Sequence, residues 1–147
     1  MIFLGNLLWF IFGGGFFACL GWFLLGLLLC CTIIGIPFGI AAFRIAGFVA
    51  FPFGKELVDV RLIGEERIIG TGLANFLWII LAGLWLAIGH MLAGIGCFMA
   101  FFLIFPIFFG MAHFKLAIVC FAPLGKKPVR IDSPNQVRIG TIHTNIK

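Results

Sequence analysis

Two long runs of this sequence, residues 2 to 53 and 73 to 124, contain one arginine, one lysine and no acid between them. Every other charged side chain falls in residues 54 to 72 or 125 to 147. A bilayer-spanning helix needs about 20 apolar residues, so each run of roughly fifty holds two such lengths. Four membrane crossings is the expectation.

Composition agrees. Soluble domains are roughly half apolar and about a quarter charged, whereas this chain is 63% hydrophobic and 10% charged, with twenty Phe and no Tyr. A water-soluble fold of that make-up would have no surface to present. A cleaved signal peptide requires a charged start and a soluble mature domain, so the N-terminus is read as part of the membrane domain. The net charge of +5 gathers in the tail, where Lys126, Lys127, Arg130, Arg138 and Lys147 face Asp132 alone. Basic residues beside a membrane boundary answer to anionic headgroups and to the positive-inside rule. With no recognition motif beside them, nucleic acid is not an expected partner.

The two runs are related. Asn6-Leu7-Leu8-Trp9 matches Asn75-Phe76-Leu77-Trp78, with Gly14 against Gly83 and Ala18 against Ala87. After a two-residue insertion in the second copy, Gly39 aligns with Gly110, Arg44 with Lys115, and Pro52-Phe53-Gly54-Lys55 with Pro123-Leu124-Gly125-Lys126. The resulting division is a first membrane repeat (1–55), a polar linker (56–72), a second repeat (73–126) and a basic tail (127–147). Each Pro-x-Gly-Lys marks a corner at the membrane boundary: Pro52, Gly54 and Lys55 in one copy, Pro123, Gly125 and Lys126 in the other.

Within the first copy, Gly35-Ile36-Pro37-Phe38-Gly39 is the strongest break, since proline removes an amide donor and turns its predecessor away from the helix. Gly35, Pro37 and Gly39, with Gly110 in the second copy, are therefore the turn candidates. A short arm, residues 40 to 53, follows the break. If it crosses, each copy is a hairpin, and linker and tail share the cytoplasmic face. If it lies flat, each copy crosses once and the halves form an inverted repeat. Its seven strong apolar residues contribute about −0.3 to −0.6 kcal/mol each, against about +2.5 to +3.5 for a central arginine, so insertion is nearly neutral. Five tail cations on the outer face would break the charge rule, which favours hairpins. In the linker, alternation at Val58, Val60 and Leu62 before Gly64-Glu65-Glu66 suggests a short β-hairpin.

Arg44 and Lys115 are the candidate functional residues, because an ionisable group at membrane depth marks a pathway or a site by default. They could line an anion path, or snorkel to lipid phosphate and fix helix depth. His90 and His113 occur only in the second copy, where a bond to a neighbouring carbonyl is the expectation and a proton relay the alternative; His143 lies in the polar tail without context. Asn6 and Asn75 read as helix caps, with bonding across helices the alternative, Trp9 and Trp78 as interfacial anchors, and Trp22 and Trp85 as packing residues. Cys19, Cys30, Cys31, Cys97 and Cys120 form no Cys-x-x-Cys pair and act as small hydrophobes. No acid pair, nucleophile triad, phosphate loop or metal motif is present. The triple glycine at 13 to 15 reads as packing or hinge. No catalytic residue, metal or cofactor is expected.

In Asn6-x-x-Trp9, the run Gly35-Ile36-Pro37 to Arg44, Gly110-x-Ala-x-Phe114-Lys115 and the two corners, the chain resembles the YccF family of small bacterial inner-membrane proteins, which carry the inner membrane component domain twice. One departure is Pro106, four residues before Gly110, where the first copy sets Pro37 two before Gly39. The resemblance implies a place in the cytoplasmic membrane and carries no catalytic or binding residues across.

The expected fold is thus an all-α integral membrane protein of two tandem hairpins packed about a pseudo-twofold axis. Its expected role is that of a non-enzymatic membrane component, with lipids and further copies of itself as partners. A small oligomeric channel or transporter for anions and a lipid-interacting scaffold are the alternatives.

Overall fold

The computed structural model describes residues 1–99 and 104–131. The remainder of the tail, with His143, Arg138 and Lys147, lies outside the described residues. The chain is mostly helical. α1 (Ile2–Phe12) and α2 (Gly15–Cys30) meet at a 72° bend. The bend is possible because Gly14 takes a left-handed φ of 81°, which glycine adopts without steric cost. A methyl group on Gly13 would stand 2.6 Å from the Trp9 ring, so the triple glycine also makes room for that indole.

α2 ends in a turn closed by Thr32, whose hydroxyl accepts from the Gly35 N–H at 3.0 Å. α3 (Ile36–Ala50) starts immediately after, with Pro37 in its first turn. A missing amide N–H costs nothing there. The break expected around Pro37 therefore precedes it, and Gly39 lies inside α3 rather than in a turn. A Cβ at Gly39 would meet the Gly26 carbonyl at 2.8 Å, so this glycine serves the close approach of α2 and α3.

The second half starts with α4 (Thr71–Trp78), which passes through one π-helical turn (Ile79–Gly83) into α5 (Leu84–Met99). Where the first half bends at Gly14, the second, at the matching Gly83, stays helical. α6 (Ile104–Cys120) packs back along α5. Gly110, expected in a turn, sits inside α6, where a Cβ would lie 3.2 Å from the Gly94 carbonyl.

Strand β1 (Lys55–Asp59) leaves the first corner and β2 (Lys126–Arg130) the second, and the two form an antiparallel ladder. Gly54 and Gly125 turn both corners with φ of 77° and 74°. The linker hairpin expected at Gly64 is absent: β1 finds its partner beyond the second corner, and a 3-10 turn (Val60–Ile63) capped by Gly64 follows it. The register sets Lys55 opposite Arg130, Leu57 opposite Pro128 and Asp59 opposite Lys126.

One continuous helix, Thr71–Met99 of 29 residues, is long and apolar enough to cross a bilayer, and the bent α1–α2 pair makes a second if it counts as one span. The 15 residues of α3 rise about 22 Å, short of the roughly 30 Å hydrocarbon core. Of the four crossings expected from block length, the described residues hold one full-length span, Thr71–Met99, with the bent pair and shorter apolar helices beside it. Large apolar side chains face outward along the helices, among them Phe17, Leu28, Leu81 and Leu92. Such a surface suits lipid and not water.

Candidate functional site

The polar groups of the membrane part gather where the helices meet the sheet. Asn6 on α1 bonds both ways to the corner residue Phe53: its Nδ2 donates to the carbonyl and its Oδ1 accepts from the amide, each at 3.0 Å. Asn75 on α4 does the same to Leu124, at 3.1 and 3.0 Å. A side-chain amide matches a peptide group donor for acceptor, so each asparagine ties a helix to its corner rather than capping its own helix start.

Trp9 and Trp78 were expected at the interface, yet they are 0% and 2% exposed. Trp9 Nε1 donates to the Val49 carbonyl and Trp78 Nε1 to that of Cys120, both at 2.8 Å. Each ring also reaches the opposite half: Trp9 packs edge-on to Phe109 at 6.0 Å, and Trp78 stacks on Phe38 at 5.8 Å. Trp22, stacked on Trp78 at 5.9 Å, completes the wedge, while Trp85 lies exposed on the outer face.

The two cations cross over. Arg44 Nη1 donates to the Lys126 carbonyl at 3.3 Å, and Lys115 Nζ donates to the Lys55 carbonyl at 2.6 Å. Each thus holds the first residue of the other half's strand. Lys115 also lies 5.5 Å from the centre of the Phe48 ring, a favourable seat for a cation on a quadrupole.

His90 and His113 are buried and face one another, Nδ1 to Nδ1 at 3.0 Å. His113 keeps the expected carbonyl partner as well, bonding the Gly13 backbone, whereas His90 faces the His113 ring. At that spacing one ring donates its N–H to the other's lone pair. The His113 ring packs on Trp9 at 4.9 Å. No local spacing in the sequence signals the pair, because only packing of α5 against α6 brings the rings together.

Outside the helices, Asp59 accepts from the Arg61 amide at 3.0 Å and bonds the Arg61 guanidinium at 3.0 and 3.1 Å. Those hydrogen bonds hold the Asp59 carboxyl below its ordinary value, with Arg67 adding a smaller pull. Lys127 bridges both Glu65 oxygens at 2.5 and 2.6 Å. Among the described residues no group of three or more His, Cys, Asp or Glu side chains could hold a metal ion. A cleft of about 570 Å³ opens between the start of α3, the linker and the second corner, and Arg44, Glu65, Glu66 and Lys127 line it.

A family model described as the YccF inner membrane component domain matches the chain twice, over residues 4–55 and 73–126. The inner membrane protein YccF of Escherichia coli strain K12 is 30% identical over 130 residues, covering 85% of this chain and 86% of that protein. The protein of the same name from Shigella flexneri matches equally, at 30% identity over 130 residues. No solved structure matches. Its length, its membrane-suited surface and both matched segments agree: the chain belongs to the YccF family of inner membrane proteins.

Proposed function

We propose that this chain is a multi-pass, non-enzymatic component of the cytoplasmic membrane, built from two related helical units clamped beneath one shared sheet. The observation that carries the reading is the sheet register. The shift that takes Lys55 to Lys126 takes Leu57 to Pro128, and Leu57 stands opposite Pro128. A residue paired with its own counterpart at the middle of a ladder is what a twofold axis through the sheet requires. The asparagine, tryptophan and crossed cation bonds recur under the same correspondence.

The ladder also bears on topology. Five-residue strands reach about 16 Å, too short to link opposite faces of a core about 30 Å thick. Linker and tail then begin on one face, and the positive-inside rule, applied to Lys55, Lys126, Lys127 and Arg130, supports a cytoplasmic placement for it.

With Arg44 and Lys115 bonded to strand carbonyls, the two cations act as fasteners, a role that fits a scaffold better than an anion path. Lipid covers the outward apolar faces. Gly89 and Gly96 on α5, where a Cβ would meet no neighbouring atom within 4 Å, offer close approach to a second copy of the chain.

The test is accessibility labelling of single cysteines at Glu66 and Arg130 in a background lacking the native five. Both sites reacting with an impermeant thiol reagent from the cytoplasmic face supports the reading. Reaction from opposite faces refutes it.

A further inference from the structure

The cleft beside the second corner combines two features that belong together in one kind of molecule. Its walls are apolar, formed by Ile36 and Ile40 of α3 and by Ile68 and Ile69 of the linker. Ile40, Ile68 and Ile69 are 51%, 81% and 99% exposed, so this apolar surface is open to an occupant. The polar groups of the same cleft are Arg44, Glu65, Glu66 and Lys127.

Two of those four are already satisfied, since Lys127 and Glu65 neutralise one another. Arg44 and Glu66 remain. Arg44 spends one Nη1 bond on the Lys126 carbonyl, leaving most of a guanidinium fork whose geometry matches phosphate oxygens. Among the described residues no ion pair engages either Arg44 or Glu66. The cleft thus offers one cationic and one anionic contact beside an apolar wall.

We infer that this cleft binds a phosphatidylethanolamine-type lipid, with the phosphate on Arg44, the primary ammonium on Glu66 and an acyl chain along the isoleucines. Charge complementarity selects this headgroup. A phosphatidylglycerol brings no cation and sets its anion near the Glu66 carboxylate. A phosphatidylcholine brings a cation without N–H groups, which cannot hydrogen-bond a carboxylate. The inference rests on the placement of linker and corner at the membrane face, and it assigns that face a lipid partner of defined chemistry.

The full chain in neutral detergent, titrated with dioleoyl phosphatidylethanolamine, phosphatidylglycerol or phosphatidylcholine and read by native mass spectrometry, tests it. Retention of the ethanolamine lipid is expected to exceed that of the other two by roughly tenfold, the worth of one charge-assisted contact. Equal retention of all three overturns the site. Glu66→Gln should erase the preference over phosphatidylglycerol, and an unchanged preference contradicts the proposal. Arg44→Gln should weaken retention of every phospholipid. Because Arg44 also supports the sheet, Glu66, in no ion pair among the described residues, is the deciding position. Soluble glycerophosphoethanolamine should compete poorly; competition as strong as the lipid's would remove the acyl wall from the account. Labelling at Glu66 reads the placement without any lipid, so a lost preference with intact labelling strikes the site alone.

Discussion

Arg44 reaches across the molecule to the carbonyl of Lys126, the first residue of the other half's strand, at 3.3 Å. Lys115 answers with a 2.6 Å bond to the Lys55 carbonyl. The two bonds pin the sheet to both helical halves. Arg44→Ala and Lys115→Ala should each cost about 1.5–3 kcal/mol, the range for hydrogen bonds to charged groups. Thermal unfolding in detergent measures the cost. Arg44→Lys should recover part of it, and a cost below a few tenths of a kcal/mol in both alanine variants would deny the fastening role.

Trp9 and Trp78 should respond to loss of a single N–H. Trp9→Phe and Trp78→Phe leave the buried carbonyls of Val49 and Cys120 without their donors, at about 1–3 kcal/mol each. Trp85→Phe, on an exposed ring, should change stability little. The contrast is readable in one denaturation series.

Close helix approach predicts a second contrast, within α3. Gly39→Ala would drive a methyl group toward the Gly26 carbonyl and Cys30, whereas nothing lies within 4 Å of a Cβ at Gly47. Overpacking should cost Gly39→Ala about 1–3 kcal/mol. Gly47→Ala should be neutral or gain up to about 1 kcal/mol from helix propensity.

Acid should loosen the linker through Asp59. Its folded carboxyl is held below the ordinary value of 3.8 by the Arg61 hydrogen bonds. A depressed folded pKa adds stability above the unfolded value, and that stability is lost as pH falls through the folded one. Hydrogen exchange of the amides at β1 and the turn after it, corrected for intrinsic rates, should therefore speed up as pH drops below about 3.8. Asp59→Asn should flatten that response.

Much of this architecture is legible in the sequence, and the boundary between legible and hidden is physical. The Pro-x-Gly-Lys corners are local: a left-handed glycine before a charged residue writes the turn within four positions. The membrane surface is written in residue type alone. What escapes is pairing over distance. β1 shows loose alternation, but nothing within the linker says that its partner lies beyond the second corner, so a local hairpin at Gly64 is the natural misreading. Pro37 signals a helix boundary, yet helix starts tolerate proline as well as turns do, and the boundary fell one residue before Ile36. Trp9 and Trp78 look like interfacial residues until their buried carbonyl partners, 40 and 42 positions away, are known. The His90–His113 contact depends on the packing of α5 on α6 in the same way.

The central claim is that the two corners are joined through an antiparallel ladder in which Lys55 faces Arg130. Cysteines at those two positions, in a chain lacking the native five, should form a disulfide under mild oxidation in isolated membranes, since directly opposed strand residues lie within bridging distance. A pair at Lys55 and Lys126, at opposite ends of the ladder, should not. Efficient bridging of the first pair and none of the second is the predicted result; failure of the first, or bridging of the second instead, would contradict the shared sheet and the topology built on it.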